Sequence, residues 1–517
     1  MKTQYFKSIT YAVITMLLLS VSSCDKYLDV KPSKGTSIVI STIADLNALL
    51  NRYSNFYLES DNIIINGTDD NGFSKTIYDA RPGAFTIAQI EFTLWDKTDL
   101  ANKDVSDFSG ANFWSNEYAK IYLANVVLAN VDKVDGTAAE KANLKADAHF
   151  IRAYSYWELA NTYCLPFTAA NANEPGLPIK TTPDYEISAR ATLAATYQQI
   201  EADLNEALKS TVPLIQNGVA IHWRASTAGV NGFAARYYLN RNDYINALKY
   251  ANASLAEYST LVDYNTGMTF GTSTTVGIDA GTPNAKTVTI NFPYTRNRNV
   301  SNDPTDALAW KEMLYYRLLN NTSFWYIPSQ ELMNLYDKNN DLRYKYLYVQ
   351  NYSYLRGFTN PSFSYPGYMF FFTDKLPEGP TVAEMVLIKA ECLARAGDIS
   401  GAITAVNQLY SKRTVTGTPA LAASTQDQAI LTVLQERRRE LPFTQRWFDI
   451  RRFNSNSYAA DDVPVLSKTF YPYTPSGVQT TQPVINYTLP ANSRRFASPL
   501  PVTDINNSNG LFIQNTY

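Results

Sequence analysis

The sequence predicts a mostly α-helical protein, with helical hairpins stacked into a right-handed superhelical scaffold that carries long irregular loops and a few short strands. Three observations predict it. Apolar and small residues recur at three- and four-residue steps over several long stretches. One pair of such stretches repeats internally. Between them lie aromatic-rich segments with little period, which read as loops, where binding surfaces usually sit on a rigid frame.

The first residues stand apart from that scaffold. Lys2 and Lys7 precede an apolar run, Ala12–Leu19, shorter than the roughly 20 residues a spanning helix needs. Small residues Ser22 and Ser23 follow, then Cys24. A basic start, a short apolar centre and small residues at a cleavage point mark a secretory signal. Val21-Ser22-Ser23-Cys24 resembles a bacterial lipoprotein box, which predicts removal of residues 1–23 and a lipid on Cys24. Residues 24–41 then read as anchor and tether, and 42–517 as a single helical domain.

Composition narrows the function classes. A net charge of −2 offers no broad basic field, so nucleic acid is not the expected partner. Only two histidines, His149 and His222, argue against a His-rich metal site or several His-based catalytic sets. Cys164 and Cys392 have no metal-type spacing and are expected as buried, inert thiols. Aromatic residues make up 13% of the chain; most must fill core, and the rest are available to stack on ligand rings.

Along the chain, a helix is expected over Ile43–Tyr53, with Thr42 as N-cap and Asp45 in its first turn. Residues 54–112 read as loops and turns. Helical period returns in Glu117–Val131 and Leu144–Tyr163, lapses over the proline-rich 165–190, and resumes at Tyr197–Leu208. The segment from Ala234 then lies on the segment from Lys389: Ala235 on Ala390, Asn242 on Gly397, Asp243 on Asp398, Ala247 on Ala402. Small residues flanking a Gly or Asn turn let two helices pack closely, a spacing that resembles the tetratricopeptide repeat. Hairpins are thus expected near 117–163, 194–208, 226–256 and 383–412, with loop-rich insertions near 54–112 and 257–380. Within the second insertion, Thr287–Phe292 alternates like a strand and Gln330–Lys338 like a helix. The tail from about 453 reads as irregular.

Two charged motifs invite catalytic or metal readings. In Glu436–Phe453, "ERRRELPFTQRWFDIRRF", Glu436 and Glu440 share a helix face and could be paired carboxylates for glycoside chemistry. The alternating arginines favour an ion-pair network instead, since they neutralise carboxylates rather than raise their pKa. "DKNNDLRY", Asp337–Tyr344, has alternating oxygen ligands, but Leu342 and Tyr348 stand where a calcium loop needs Gly and Glu. A turn with an Asp341–Arg343 contact is expected there. No cofactor is expected; no motif supports calcium.

The motifs then converge on a family. "CDKYLDVKP" after the lipid site, "FWSNEYAKIYLANVVLANVD" at Phe113–Asp132, "AHFIRAYSYWELANTYCLPF" at Ala148–Phe167, "AEMVLIKAECLARAG" at Ala383–Gly397, the arginine-rich motif and the ending "LFIQNTY" occur in order. Together they resemble the SusD/RagB family of outer-membrane nutrient-binding lipoproteins. The resemblance implies a SusD-like fold, no catalysis, and a SusC-like TonB-dependent β-barrel transporter as partner. It implies a protein anchored to the outer membrane and facing the exterior, which captures glycan or, as in RagB-like members, peptide. A secreted glycoside hydrolase and a purely structural assembly protein are the rival readings. Thr444-Gln445 and Cys164-Leu165 depart from the family's usual scaffold turns. In the family the ligand site is built from loop regions near 60–100 and 260–330 here. The expected ligand-binding residues are therefore Trp95, Trp310, Trp325 and Tyr294 as platforms, with Arg296, Asp69, Asp70 and Asn71 as polar partners. Asn299 is a further polar neighbour. Trp114, Trp157 and Trp447 are expected in the core, and Trp223 is ambiguous.

Overall fold

In the computed structural model, the described residues are 40–60, 66–102, 111–293, 310–320, 325–371 and 375–517. Cys24 and the signal segment lie outside them, as do Tyr294, Arg296 and Asn299. The first helix, α1 (Ile43–Asn51), opens with the expected cap: Thr42 Oγ1 accepts from Asp45 N at 3.1 Å and Asp45 Oδ2 accepts from Thr42 N at 2.9 Å. Its buried side chains, Ile43, Leu46 and Leu50, pack with Ala124, Val127, Leu144 and Ile151 of the next two helices, α2 (Ala111–Asn130) and α3 (Ala138–Tyr163).

Helix α3 is the centre of the scaffold: every residue from Phe150 to Tyr163 is buried. It starts six residues before the expected Leu144 because Thr137 and Glu140 form a capping box, with Glu140 N donating to Thr137 Oγ1 at 3.2 Å. α2 packs on one side of it and α4 (Leu193–Ala207) on another. The stack continues through α5 (Thr227–Asn240), α6 (Tyr244–Glu257), α7 (Val382–Arg395) and α8 (Ile399–Arg413). α5 pairs with α6, α6 with α7, and α7 with α8. α9 (Gln426–Glu440) packs on α7 and α8, and α10 (Arg446–Phe453) follows it.

The internal repeat is a repeat of turn chemistry. Asn242 and Gly397, paired in sequence, both adopt left-handed backbone, φ 56° and 85°. Each ends its helix with the same six-residue bond: Asp243 N to Tyr238 O at 2.9 Å, and Asp398 N to Leu393 O at 3.0 Å. Each following aspartate then caps the next helix, accepting from Asn246 N at 3.0 Å and from Gly401 N at 2.8 Å. The small residues Ala235, Ala247, Ala390 and Ala402 are fully buried, so the paired helices approach closely.

Strands punctuate the helices, among them β1 (Leu58–Ser60), β2 (Phe270–Ile278), β3 (Lys286–Pro293), β4 (Leu318–Asn320), β5 (Lys375–Pro377), β6 (Val465–Phe470) and β7 (Ile485–Pro490), of which β4 is wholly buried. β1 and β5 flank β4, parallel and antiparallel respectively. β2 and β3 form an antiparallel hairpin that contains the expected strand at Thr287–Phe292. β6 and β7 form another in the tail, where no strand was expected. Residues 54–112 also hold three short helices, Lys75–Ala80, Ile87–Thr93 and Lys97–Leu100, each begun by a Ser, Thr or Asp cap. The helix expected over Gln330–Lys338 stops at Asn334, and Asp341 caps a second short one, Leu342–Leu347. Asp341 also holds Arg343 at 2.8 Å, the expected contact.

Buried arginines bind these parts together. Arg452 bonds both oxygens of Glu391 at 2.6 and 2.8 Å and Asp449 at 2.8 Å, while Arg437 reaches Asp449 at 2.9 Å. Burial would raise the Glu391 carboxyl, but Arg452 and Arg395 outweigh it and hold it at about 2. Arg236 holds Glu384 at 2.6 Å; Arg317 joins Glu59 of β1 at 2.8 Å to Glu117 of α2 at 2.9 Å. Arg413 ties Glu312 and Glu440, and Arg343 ties Glu436 and Glu440, all at 2.8–2.9 Å. The motif that reads as paired carboxylates is thus an ion-pair network. Cys164 and Cys392 are buried free thiols, both pushed up by burial.

Removing one partner of such a buried pair leaves a stranded charge. Arg452→Ala should lower unfolding free energy by about 3–5 kcal/mol, read from the urea midpoint; a loss below about 1 kcal/mol would show that Glu391 finds other compensation. A second prediction concerns His222, buried at 3% exposure, whose imidazole burial pushes down to about 4 against the opposing effect of its hydrogen bond to the Met313 backbone. As pH falls below 6.5 the unfolded chain takes up this proton before the folded chain does. Stability is therefore lost between pH 6.5 and about 4, by about 3 kcal/mol at full effect. Urea titrations of wild type and His222→Gln should diverge by that order over this range, and parallel curves would contradict the assignment.

Candidate functional site

A cleft of about 410 Å³ opens where the two loop insertions meet. Half-buried Phe85 gives the cleft its open apolar face, backed by Trp325 and Phe358, which are 4% and 1% exposed; Ala84 and Leu355 line a wall; Arg81, Gln89 and Arg356 supply polar groups. The floor is itself packed: Trp325 lies 6.1 Å from Tyr352 at 23° and 5.5 Å from Phe358, and Phe85 meets Phe73 edge-on at 4.9 Å. These buried rings hold Phe85 in place, so its open face is presented at little entropic cost.

Local sequence places each wall. The helix Lys75–Ala80 ends at Arg81, Pro82-Gly83-Ala84 makes a single 3-10 turn, and Thr86 starts the next helix. Thr86 N donates to Gln89 Oε1 at 2.7 Å and Gln89 N donates to Thr86 Oγ1 at 3.3 Å, a capping box that fixes Gln89. The opposite wall is the 3-10 turn Tyr352–Arg356, bracketed by left-handed Asn351 and Gly357. Arg81 Nη1 donates to Arg356 O at 2.8 Å and clasps the two walls. Glycine suits position 357: its φ of 84° is left-handed, and a Cβ there would push the Arg81 guanidinium aside.

Of the residues expected from sequence, Trp325 lines this cleft. Trp95 does not: it is 1% exposed, its indole N–H donates to Gly67 O at 2.8 Å, and it belongs to the main core. Nor does Trp310, which is packed edge-on between Tyr264, Phe370 and Phe371. Asp69 and Asp70 are spent on the scaffold. Asp69 pairs with Arg446 at 2.6 Å and Arg438 at 3.2 Å; Asp70 pairs with Arg438 and accepts from Phe443 N at 2.9 Å. Burial lifts both carboxyls, but Arg446 and Arg438 draw Asp69 down to about 2, whereas in Asp70 burial prevails. Asn71 is buried, bonding Phe73 N at 2.8 Å and Asn66 at 3.3 Å. Trp114, Trp157 and Trp447 are core, as expected. Sequence reading missed Arg81, Phe85, Gln89, Arg356 and Phe358; the Pro82-Gly83 turn signal and Arg356-Gly357 after an aromatic run were the available clues.

Among the described residues, one group has metal-like spacing: Glu59, Glu158 and Glu378, buried, with carboxylate oxygens within 4.8 Å of one another. Burial lifts all three carboxyls, and repulsion from neighbouring glutamates adds to it; Glu158 and Glu378 lie well above the ordinary range. Protons can therefore balance their charge.

Gly357→Ala should cost about 1 kcal/mol of stability from its backbone alone and move the Arg81 side chain. An unshifted Arg81 Nε–H resonance in the variant would contradict the clasp.

Comparisons with known proteins agree with this architecture. The profile of a family described as "Starch-binding associating with outer membrane" matches residues 26–239, and that of the SusD family matches residues 382–517. "SusD-like protein P25" of Formosa agariphila is 26% identical over 163 residues, which cover 29% of each chain. The chain thus spans under a third of that relative's length. A putative sugar-binding protein from Bacteroides vulgatus superposes with a TM-score of 0.60 at 18% identity, covering 93% of this chain and 99% of that one. A laminarin-binding SusD-like protein superposes with a TM-score of 0.57 at 17% identity, covering 92% and 99%. With its helical hairpins, its arginine-rich C-terminal motif and two family profiles that together span about two thirds of its length, this chain belongs to the SusD/RagB family.

Proposed function

We propose that this chain is a lipid-anchored, outward-facing outer-membrane protein that captures glycan in the Arg81–Trp325 cleft and passes it to a SusC-like TonB-dependent transporter. The observation that carries the reading is the cleft's make-up: an apolar aromatic floor under guanidinium and amide groups. Sugar rings have apolar faces that stack on such a floor, and their hydroxyls need the polar rim. Two neighbours of the same fold are described as sugar- or laminarin-binding, which supports the same ligand class. The Val-Ser-Ser-Cys24 sequence supports the anchor, and the family description supports the outer membrane. Residues 42–517 act as one domain, and Cys24 carries the lipid.

Binding without catalysis is the favoured role, because Glu436 and Glu440 are held in arginine pairs. Capture gives affinity through stacking and specificity through hydrogen bonds, and movement of the protein on its barrel partner releases the glycan inward.

Calorimetry on the lipid-free chain against glycan and peptide panels tests this. We expect micromolar affinity, about −8 kcal/mol, for at least one oligosaccharide. Trp325→Ala should weaken it about 30-fold, the loss of about 2 kcal/mol typical of a buried aromatic anchor. Binding of peptides alone, or sugar turnover in a reducing-end assay, would overturn the glycan-capture reading. Separately, Cys24→Ala should release the protein from the outer-membrane fraction; retention there would contradict the anchor.

A further inference from the structure

A second cleft, of about 400 Å³, lies between α1, the first half of α3 and the connection 212–225. None of its lining residues belongs to the first cleft. Its centre is Arg224. The guanidinium bonds the buried Asp147 carboxylate through Nε, reaches Asn51 Oδ1 at 2.7 Å and Asn47 Oδ1 at 3.4 Å. Ala225 N donates to the other Asp147 oxygen at 3.3 Å.

These contacts decide which way the amides point. A guanidinium only donates, so Asn47 and Asn51 must offer it their oxygens. Asn143 is set in the same way, because its Oδ1 accepts from Thr211 N at 3.0 Å and from Thr211 Oγ1 at 3.1 Å. Three side-chain amides therefore have their acceptors occupied and their NH2 groups left over, and all three line the cleft. The backbone under them is rigid. Asn47 and Asn51 sit one turn apart on α1, which Ile43, Leu46 and Leu50 seat on α2 and α3. Beside them is Trp223, half-buried, lining the cleft and backed by Tyr53 at 6.5 Å.

We infer that this is a second carbohydrate-binding cleft, in which Trp223 stacks on a sugar face and the Asn47, Asn51 and Asn143 amides donate to sugar oxygens. The charge at its centre is already balanced, Arg224 by Asp147, so no acidic group is needed to complete it. Glu140 and Gln216 line the same cleft and add acceptors; glycan hydroxyls both donate and accept, so they can bond amides and acceptors alike, and a sugar's apolar face suits the indole. The ligand class is read from these side chains alone and does not depend on the first cleft.

Fluorine NMR of the full lipid-free chain labelled with 5-fluorotryptophan tests it, with the Trp223 resonance assigned by Trp223→Phe and the Trp325 resonance by Trp325→Phe. The probes are hexasaccharides of α-1,4-, β-1,3- and β-1,4-linked glucose and of β-1,4-linked mannose and xylose. We expect at least one to shift the Trp223 signal saturably, to do so in Trp325→Phe as well, and to bind about tenfold more weakly at Trp223 in Asn47→Ala. Asn47 holds Arg224 only at 3.4 Å, so that variant should keep its urea midpoint. If no glycan moves the Trp223 signal, or if only a purified outer-membrane barrel partner does, the inference is overturned. A Trp325 signal that responds while Trp223 stays still would sink this cleft and leave the first reading standing; the converse would sink the first and leave this one.

Discussion

The rest of the structure depends on the knot of Arg437, Asp449, Arg452 and Glu391, where the last two long helices, α9 and α10, are pinned to α7. Such buried pairs add little to net stability compared with apolar packing, because desolvation offsets the Coulomb gain. Their effect is geometric. A bidentate guanidinium donates to a carboxylate in one plane and at one distance, so a helix held by it cannot slide or rotate. Around the knot, Arg236, Arg317, Arg343 and Arg413 extend the same rule outward, each joining elements far apart in sequence.

This frame explains why loops can carry a binding site. The walls of the first cleft come from residues near 81–89 and 352–358, segments with little secondary structure of their own. Asp69 and Asp70, just upstream of the first wall, are clamped by Arg438 and Arg446 at the end of α9 and start of α10. The acidic pair that sequence assigned to the ligand instead transmits the scaffold's rigidity to the loop. Under the proposed reading, Phe85 then needs no rearrangement to receive a ring, which removes part of the entropic cost of binding.

The scaffold was legible in sequence because helix packing leaves a period and turns leave chemistry. Asn242-Asp243 and Gly397-Asp398 each encode a left-handed residue followed by a cap, and the offset repeat found both. Boundaries were less legible where the signal was a cap rather than a period: Thr137 and Glu140 add six residues to α3 that hydrophobic spacing does not show. β6 and β7 were missed because their outward faces mix polar and apolar residues and no compact turn signal joins them. The cleft was the least legible part. Aromatic content alone cannot separate Trp95, whose indole N–H is satisfied inside the core, from Trp325, which borders open space. That difference is set by neighbours distant in sequence, such as Arg81 and Phe85 across the cleft from Trp325, and no local pattern carries it.

The central claim is that a rigid aromatic-floored cleft on an arginine-locked helical frame receives a sugar. A crystal structure of the lipid-free chain grown with a bound oligosaccharide tests it most directly. The account predicts a sugar ring over half-buried Phe85 beside the edge of Trp325, with hydroxyls bonded to Arg81 and the scaffold unmoved. A ligand held wholly elsewhere, with Phe85 and Trp325 uncovered, would contradict it.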